Sequence, residues 1–335
     1  MRPRHTTLMA LLLAVAGCGS TYGSGTTPRT TATSAATATS AATAASVTAA
    51  ASTATTAAAG FPTTVTTSSG DVVIKAKPTK IVSLSPTGTE MLFAIGAGPQ
   101  VTAVDDQSNY PADAPKTDLS GNQPNVEAIA KYAPDLVVVS DDSGGLSQSL
   151  APVGVPVLVE PAATSLDDSY AQIEQLGQAT GNPAGAAATV KQMRDGINRV
   201  TAGLPVRQKP LTYYHELDDT LYSVTSKTFI GQIYGMLGLQ DIADAADSTG
   251  SGYPQLSPEY LLTADPDIIF LADTKCCHQD AATLAARPGF GQLKAVTNGA
   301  VVALDDDVAS RWGPRVVEFM QTVADAVGKL QPAGG

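Results

Sequence analysis

The sequence predicts an α/β protein of two Rossmann-like lobes, each built on a parallel sheet and joined by one long interdomain helix. The main observation is an internal repeat, because residues 125–141 align without gaps on residues 257–273. Each half of the chain also alternates aliphatic runs typical of buried strands with segments typical of helices. Between the halves lies a stretch rich in Ala and Gln. This alternation predicts parallel sheets covered by helices, and the repeat predicts two of them.

The first 17 residues are typical of an export signal. Arg2 and Arg4 precede an apolar run, Leu8 to Val15, that is too short to span a bilayer. One aliphatic and two small residues then lead to Cys18, an order that resembles the bacterial lipobox, in which the cysteine is acylated after cleavage. We therefore expect residues 1–17 to be a signal peptide and Cys18 to carry a lipid. The alternative is an ordinary secretory signal with an incidental cysteine.

Residues 18–60 are almost entirely Thr, Ala, Ser and Gly. They lack the large apolar residues needed to offset the entropy of ordering, so we expect a disordered, lipid-anchored tether. The net charge of −11 argues against nucleic acid as a partner. No later stretch is long and apolar enough to span a membrane. We expect an extracytoplasmic protein held to the cell membrane by its lipid alone.

The N-terminal lobe is predicted over residues 71–165. A strand from Ile81 to Ser85 is followed by a helix from Thr87 to about Gly96. In the repeated segment a capping residue and an acid open a short helix, Pro-Asp ends it, and an aliphatic run follows as a buried strand. A short strand from Val155 to Val159 closes the lobe.

Residues 166–204 are predicted to be linker helices, with Pro183 opening the longer one. The C-terminal lobe, residues 208–330, repeats the order of the first. Its first strand is Leu211 to Tyr214, and a helix runs from about Thr228 to Gly238. A single stiff helix between lobes limits hinge motion, so we expect a largely pre-formed cleft.

Ligands of parallel sheets bind beyond the carboxyl ends of the strands, so the loops there should line the cleft. These loops hold three tyrosines, the only tryptophan, an arginine and a His-Glu pair. The candidate ligand-binding residues are Tyr110, His215, Glu216, Tyr222, Tyr253, Arg311 and Trp312. Aromatic faces with a guanidinium suit a large flat or anionic ligand, such as a ferric chelate or a tetrapyrrole. The alternatives are partial burial of each tyrosine, and pairing of Arg311 with an aspartate among residues 305–307.

Glu127 and Glu259 occupy the same position in the repeat. An acid in a first helical turn interacts favourably with the helix dipole, and this interaction alone would explain both residues. The other hypothesis is that one acid on each lobe matches a symmetric partner bearing paired arginines.

Cys276 and Cys277 are adjacent. In an oxidising compartment they could close a vicinal disulfide. Free thiols are an alternative, and so is a metal site with His278, although three consecutive ligands make a poor tetrahedral site. We expect no resident metal and no cofactor.

An enzyme is disfavoured because the chain lacks Gly-x-Ser-x-Gly, His-Glu-x-x-His and Cys-x-x-Cys motifs. Gly96 and Gly98 follow a helix and are interpreted as its cap, not as a dinucleotide-binding loop. A second alternative is a scaffold of the cell envelope, which would bind a partner there instead of a small ligand.

Three segments resemble a known family, the iron-siderophore, haem and cobalamin substrate-binding lipoproteins of ABC importers. They are Pro78 to Gly98, Arg287 to Val301 and Ser310 to Arg315. The resemblance implies two lobes joined by a helical linker, with little closure on binding, and an ABC permease as the partner. It implies that Glu127 and Glu259 contact permease arginines, and that Tyr222 and Arg311 lie in the pocket. The expected ligand is a ferric siderophore, then haem, then cobalamin. The Cys276-Cys277-His278 and His215-Glu216 sequences depart from the usual pattern.

Overall fold

The computed structural model describes residues 60–142 and 144–330. The predicted signal peptide, Cys18 and nearly all of the predicted tether lie outside the described residues. Within the described ranges, no helix is both long enough and apolar enough to cross a membrane.

An antiparallel hairpin precedes the first lobe. Its strands are β1 (Thr63–Thr67) and β2 (Gly70–Ile74). Val65 on β1 is fully buried. Ordered structure thus begins before residue 71, where the N-terminal lobe was predicted to start. The hairpin was missed because its threonines continue the composition of the preceding segment, although β-branched residues on both sides of a Ser-Ser-Gly turn are a hairpin signal.

The N-terminal lobe contains a five-stranded parallel sheet. Its strands are β3 (Ile81–Leu84), β4 (Val101–Asp105), β5 (Lys116–Leu119), β6 (Leu136–Val139) and β7 (Val157–Val159). Their spatial order is β5-β4-β3-β6-β7. Its helices are α1 (Pro86–Ala94), α2 (Val126–Ala130) and α3 (Leu146–Leu150). Bounds were predicted from the sequence only for β3, β6 and β7. Strand β5 was missed because it is short, polar and mostly exposed, and no bounds were given for β4 although that strand is mostly buried.

Two helices form the linker, α4 (Leu166–Thr180) and α5 (Pro183–Ala202). Ser165 and Asp168 form a capping box that begins α4. Pro183 begins the longer helix α5, as predicted. The two helices pack together, and α4 also covers β1.

Two glycines let α5 approach both lobes closely. A Cβ on Gly185 would collide with the Ile95 carbonyl oxygen, just after α1. A Cβ on Gly196 would lie 2.7 Å from Cγ1 of Val317, in the last helix of the chain. Close packing of one rigid helix against both lobes restricts their relative movement.

The C-terminal lobe has a four-stranded parallel sheet. Its strands are β8 (Leu211–Glu216), β9 (Leu239–Asp241), β10 (Ile268–Leu271) and β11 (Val301–Ala303). Their spatial order is β11-β10-β8-β9. Its helices are α6 (Phe229–Met236), α7 (Pro258–Ala264), α8 (Ala281–Ala286), α9 (Lys294–Thr297), α10 (Asp306–Ser310) and α11 (Val316–Lys329). The α/β class with two parallel-sheet lobes is therefore confirmed.

The internal repeat has the same structural role in both lobes. Asp135 directly precedes the strand of the first copy, and its carboxylate accepts hydrogen bonds of 2.9 Å from the backbone and hydroxyl of Thr79. Asp267 directly precedes the strand of the second copy and accepts the same pair of hydrogen bonds from Thr212, at 2.9 and 3.0 Å. Each aspartate thus ties the start of one buried strand to the segment that leads into its neighbour.

Candidate ligand-binding cleft

The exposed aromatic side chains lie on loops at the carboxyl ends of the strands. In the part of the chain that the structure describes, three aromatic residues are exposed: Tyr110 at 44%, Tyr222 at 40% and Tyr253 at 51%. Tyr110 lies between β4 and β5, Tyr222 between β8 and α6, and Tyr253 between β9 and α7. All three had been predicted as ligand-binding residues from their position after strands.

Backbone hydrogen bonds join the loops of Tyr222 and Tyr253. Tyr222 forms an antiparallel bridge with Gln255. The Ser223 backbone N–H donates to the Pro254 carbonyl at 3.0 Å. These two tyrosines therefore belong to one paired-loop surface of the C-terminal lobe. In the other lobe the Tyr110 ring lies 4.2 Å from the Arg315 guanidinium carbon.

Arg311 is buried and its terminal nitrogens are occupied. One donates to Glu90 at 2.8 Å and to Asn109 at 2.9 Å. The other donates to the Gln107 carbonyl at 3.1 Å and to Asp307 at 2.7 Å. The pairing with an aspartate of residues 305–307 is thus the arrangement observed. The arrangement does not agree with a guanidinium offered to an anionic ligand.

Glu90 is the centre of this network, and sequence reasoning missed it. Its side chain is 2% exposed, and it accepts from both Arg311 and Arg315, the latter from Nε at 2.9 Å. Glu90 belongs to α1 of the N-terminal lobe, whereas the arginines precede α11. We call Glu90, Asn109, Asp307, Arg311 and Arg315 the seam network, because it joins the two lobes. The signal that could have indicated it is an acid among the apolar residues of α1.

Trp312 is half-buried against the linker. Its indole Nε1 donates to the Gln172 side chain at 2.8 Å. Its carbonyl oxygen accepts from the Ser169 hydroxyl. Both partners lie on α4, so Trp312 joins the last segment of the chain to the linker helix next to the cleft loops.

His215 and Glu216 are both 0% exposed, which does not agree with the expectation that they line the cleft. They are the last residues of β8 and pair with β10. His215 Nδ1 shares a hydrogen bond of 2.8 Å with the Tyr234 hydroxyl. Burial lowers the pKa of His215 to about 3, so its imidazole is neutral. The sheet therefore encloses this histidine.

Glu216 is covered by Arg287, which follows α8. The two carboxylate oxygens accept from the guanidinium at 2.7 and 2.6 Å. Asp273 is also fully buried beside Glu216. Burial, and then the negative charge of Glu216, raise the pKa of Asp273 to about 7. The pairing with Arg287 could not be predicted, because it joins residues far apart in the chain.

Glu127 and Glu259 are exposed. Each is the second residue of its helix, α2 or α7. Asn125 and Ser257 cap these helices through their side chains. The repeat thus places one exposed acid at the same position of each lobe.

Cys276 and Cys277 are free thiols on the loop between β10 and α8, with their sulfur atoms 2.6 Å apart. His278 is exposed beside them. Across residues 60–142 and 144–330, no group of three His, Cys, Asp or Glu side chains is arranged to hold a metal ion.

A groove of about 950 Å³ lies along β2 and β7. Its walls come from the hairpin and the N-terminal lobe, and no predicted cleft residue lines it. Because the C-terminal lobe does not contribute to it, we place the candidate site at the loops between the lobes.

Glu160 is a buried acid just beyond β7. It is 3% exposed, and Oε1 has no hydrogen-bond partner among the described residues. It lines a cavity of about 300 Å³ together with Gln172 and Gln175 of α4. Burial raises the pKa of its carboxyl to about 8.

Replacing Glu160 by Gln should change how stability depends on pH. Between about pH 4.5 and pH 8 the folded protein holds a proton on Glu160 that the unfolded chain has lost. Stability from this group is therefore present at low pH and is lost as pH rises to 8. We expect Glu160→Gln to match the parent at pH 4 and to exceed it by roughly 2–4 kcal/mol at pH 8. Urea denaturation at several pH values measures this, with Glu174→Gln on the exposed side of α4 as control; parallel pH profiles for parent and Glu160→Gln would contradict it.

Comparison with known proteins agrees with this architecture. The family model described as periplasmic binding protein matches residues 81–308. An uncharacterized ABC transporter substrate-binding lipoprotein of Bacillus subtilis, YvrC, is 30% identical over 277 residues, which cover 80% of this chain and 86% of the relative. A cobalamin-binding protein of Halobacterium salinarum is 31% identical over 280 residues, covering 80% of this chain and 75% of the relative.

A solved structure shares the fold over most of its length. It is described as a possible iron-binding, periplasmic solute-binding protein from Staphylococcus epidermidis, with a TM-score of 0.66 and 26% identity. The match covers 76% of this chain and 100% of that one. The chain thus belongs to the periplasmic binding protein family and is a substrate-binding protein of ABC importers.

Proposed function

We propose that this protein captures a ferric siderophore between its lobes and delivers it to an ABC permease. The observation that carries the proposal is the placement of the three exposed tyrosines. They are the exposed aromatic residues of the described chain, and all lie on loops at the carboxyl ends of the two parallel sheets. Exposed aromatic faces at that edge suit a bulky chelate with apolar surface. Cys18, outside the described residues, is proposed as the lipid anchor.

The charges around the cleft favour a chelate without strong negative charge. Both arginines of the seam network are paired with carboxylates. Lys275 is paired with Asp305 and Asp307. Binding an anion there would require breaking these pairs. Ferric tris-hydroxamates are uncharged, whereas ferric tris-catecholates carry three negative charges, so we propose the hydroxamate class.

Cobalamin is the second candidate, because a relative at 31% identity is named a cobalamin-binding protein. Cyanocobalamin is also bulky and uncharged. Haem is less favoured, since its propionates need cations and His215 is enclosed in the sheet.

Isothermal titration calorimetry on the purified protein tests the proposal. The titrants are a ferric tris-hydroxamate, the same siderophore without iron, a ferric tris-catecholate, haem and cyanocobalamin. Saturable submicromolar binding of the ferric hydroxamate is expected. Binding of cyanocobalamin, and of no other titrant, would contradict the siderophore proposal and identify the ligand as a corrinoid. Failure of all titrants to bind would overturn the capture function and favour a scaffold of the cell envelope.

Removing either tyrosine of the paired-loop surface should weaken binding. We expect Tyr222→Ala and Tyr253→Ala each to raise the dissociation constant by about 3–10-fold, which corresponds to roughly 0.5–1.5 kcal/mol for a lost aromatic contact. Phenylalanine at either position should restore most of the affinity, because it keeps the ring. Met236→Ala, an equally exposed apolar residue on α6, serves as the control. Equal affinities of the alanine variants and the parent would exclude these tyrosines from the site.

The exposed acids Glu127 and Glu259 are proposed to dock the permease. This proposal is supported by the equivalent positions of the two acids on the two lobes, which suit a partner with two related subunits. Ligand capture and docking then use different surfaces, so variants can separate them.

A further inference from the structure

Hydrogen bonds to two aspartates hold the backbone of the loop that carries the two adjacent cysteines. The Asp306 carboxylate accepts from the backbone N–H groups of Thr274, Lys275 and Cys276, at 2.9, 2.9 and 3.0 Å. The Cys277 N–H donates to the Asp273 carbonyl at 3.2 Å. The backbone N–H groups of both cysteines are therefore hydrogen-bonded while the thiols are still reduced.

The same backbone brings the two sulfur atoms together. They lie 2.6 Å apart, against about 2.05 Å for an S–S bond. Cys276 is exposed, so a dissolved oxidant can reach it. Once one cysteine forms a mixed disulfide, its neighbour at this distance attacks that bond much faster than a dissolved thiol does, because the ordering entropy has already been lost.

We propose that Cys276 and Cys277 are a site of reversible oxidation, closing a vicinal disulfide that stiffens the loop against the seam network. The oxidant is a low-molecular-weight disulfide. One cysteine thiolate attacks it, forms a mixed disulfide and releases one thiol. The neighbouring thiol loses its proton, attacks the mixed disulfide and releases the second thiol. The protein loses two hydrogen atoms, and the oxidant is reduced to two thiols.

The surroundings favour persistence of the closed form. Partial desolvation, the neighbouring Cys277 thiol, and the acids Asp306 and Asp273 raise the pKa of the exposed Cys276 thiol to about 12. Reduction that expels Cys276 as a thiolate is therefore slow, because a thiol of high pKa is a poor leaving group. The extracytoplasmic setting of the family is compatible with stable disulfides.

The loop is connected directly to the seam network. Lys275 lies beside Cys276, and its ammonium group donates to Asp307 at 2.6 Å. Asp307 in turn accepts from Arg311, and from Asn109 of the other lobe at 2.9 Å. Closing the disulfide restricts the backbone next to Lys275. It should therefore also reduce the mobility of Asp307 and of its contact with Asn109 in the other lobe.

Mass spectrometry after treatment with oxidised glutathione tests the chemistry. In the parent, the peptide that contains both cysteines should lose two hydrogen atoms and resist alkylation until it is reduced. In Cys276→Ser and Cys277→Ser the remaining cysteine should keep one glutathione, because the resolving thiol is missing. Free alkylation of both thiols in the treated parent, or a stable glutathione adduct on it, would overturn the proposal.

Hydrogen exchange tests the connection to the seam. Oxidised parent should exchange at least about tenfold more slowly than reduced parent at residues 273–280, with a smaller slowing at residues 305–311. The Cys277→Ser variant controls for the reagents. Unchanged exchange at residues 305–311 in a protein shown to be oxidised would contradict the connection between the disulfide and the seam network. Neither measurement uses a transported ligand, so the result is independent of the proposed cargo.

Discussion

The double variant Glu127→Ala, Glu259→Ala is expected to bind the transported ligand with unchanged affinity and to lose transport. Both side chains are exposed, and neither lies on the loops of the candidate cleft. Each would lose one charge pair with the permease, worth about 1.4 kcal/mol or more at a docked interface. Two such losses predict that uptake falls about 100-fold or more at limiting protein.

Uptake of labelled ligand by cells that carry only the variant measures this effect, and calorimetry on the purified variant measures affinity. Glu174→Ala with Glu318→Ala is a matched control, since both are exposed acids on helices outside the repeat. Each single variant at the docking positions should show an intermediate loss. Full uptake by the double variant would refute the docking assignment, whereas a loss of affinity would move these acids into the ligand site.

Replacing Glu90 by Ala is expected to destabilise the protein by about 3–5 kcal/mol, because two largely buried guanidinium groups lose their shared carboxylate. Arg311 keeps Asp307, and Arg315 keeps its contact with the Tyr110 ring. These contacts do not replace Glu90, since the side chains of both arginines are nearly inaccessible to solvent. Urea denaturation measures the loss.

Two control experiments distinguish the loss of the seam network from the general effect of removing an acid. Glu174→Ala should change stability by less than about 0.5 kcal/mol, because it is exposed. The double variant Glu90→Ala, Arg311→Ala should cost less than the sum of the two single changes, because the second change removes a charge that the first left unpaired. Additive losses, or a loss below about 1 kcal/mol for Glu90→Ala, would show that the seam network contributes little.

Local sequence patterns predicted the repeated part of the fold correctly. The aliphatic runs of β6 and β10 and the caps at Asn125 and Ser257 depend on neighbours within a few residues, so the sequence alone indicates them. The constant offset between the copies then implied two lobes. Where composition is uniform, no local change marks the start of a strand, which is why the Thr-rich hairpin of β1 and β2 was not predicted.

The same reasoning placed exposed tyrosines correctly on loops but could not tell which polar residues would be buried. His215 and Glu216 end a strand. They were predicted to line the cleft because ligands bind beyond the carboxyl ends of parallel strands. The structure instead encloses His215 and covers Glu216 with Arg287. That pairing spans distant parts of the chain, and no local pattern specifies it.

The sequence by itself determined the α/β class, the duplicated lobes, the linker helix that begins at Pro183 and the loops that carry exposed aromatic residues. These features follow from periodicity and capping, which act over a few residues. Only the tertiary structure decided that Glu90 pairs with Arg311 and Arg315, and that this pairing joins the lobes. The physical reason is desolvation: a buried charge is stable only beside its partner, and the fold alone decides which distant residues meet.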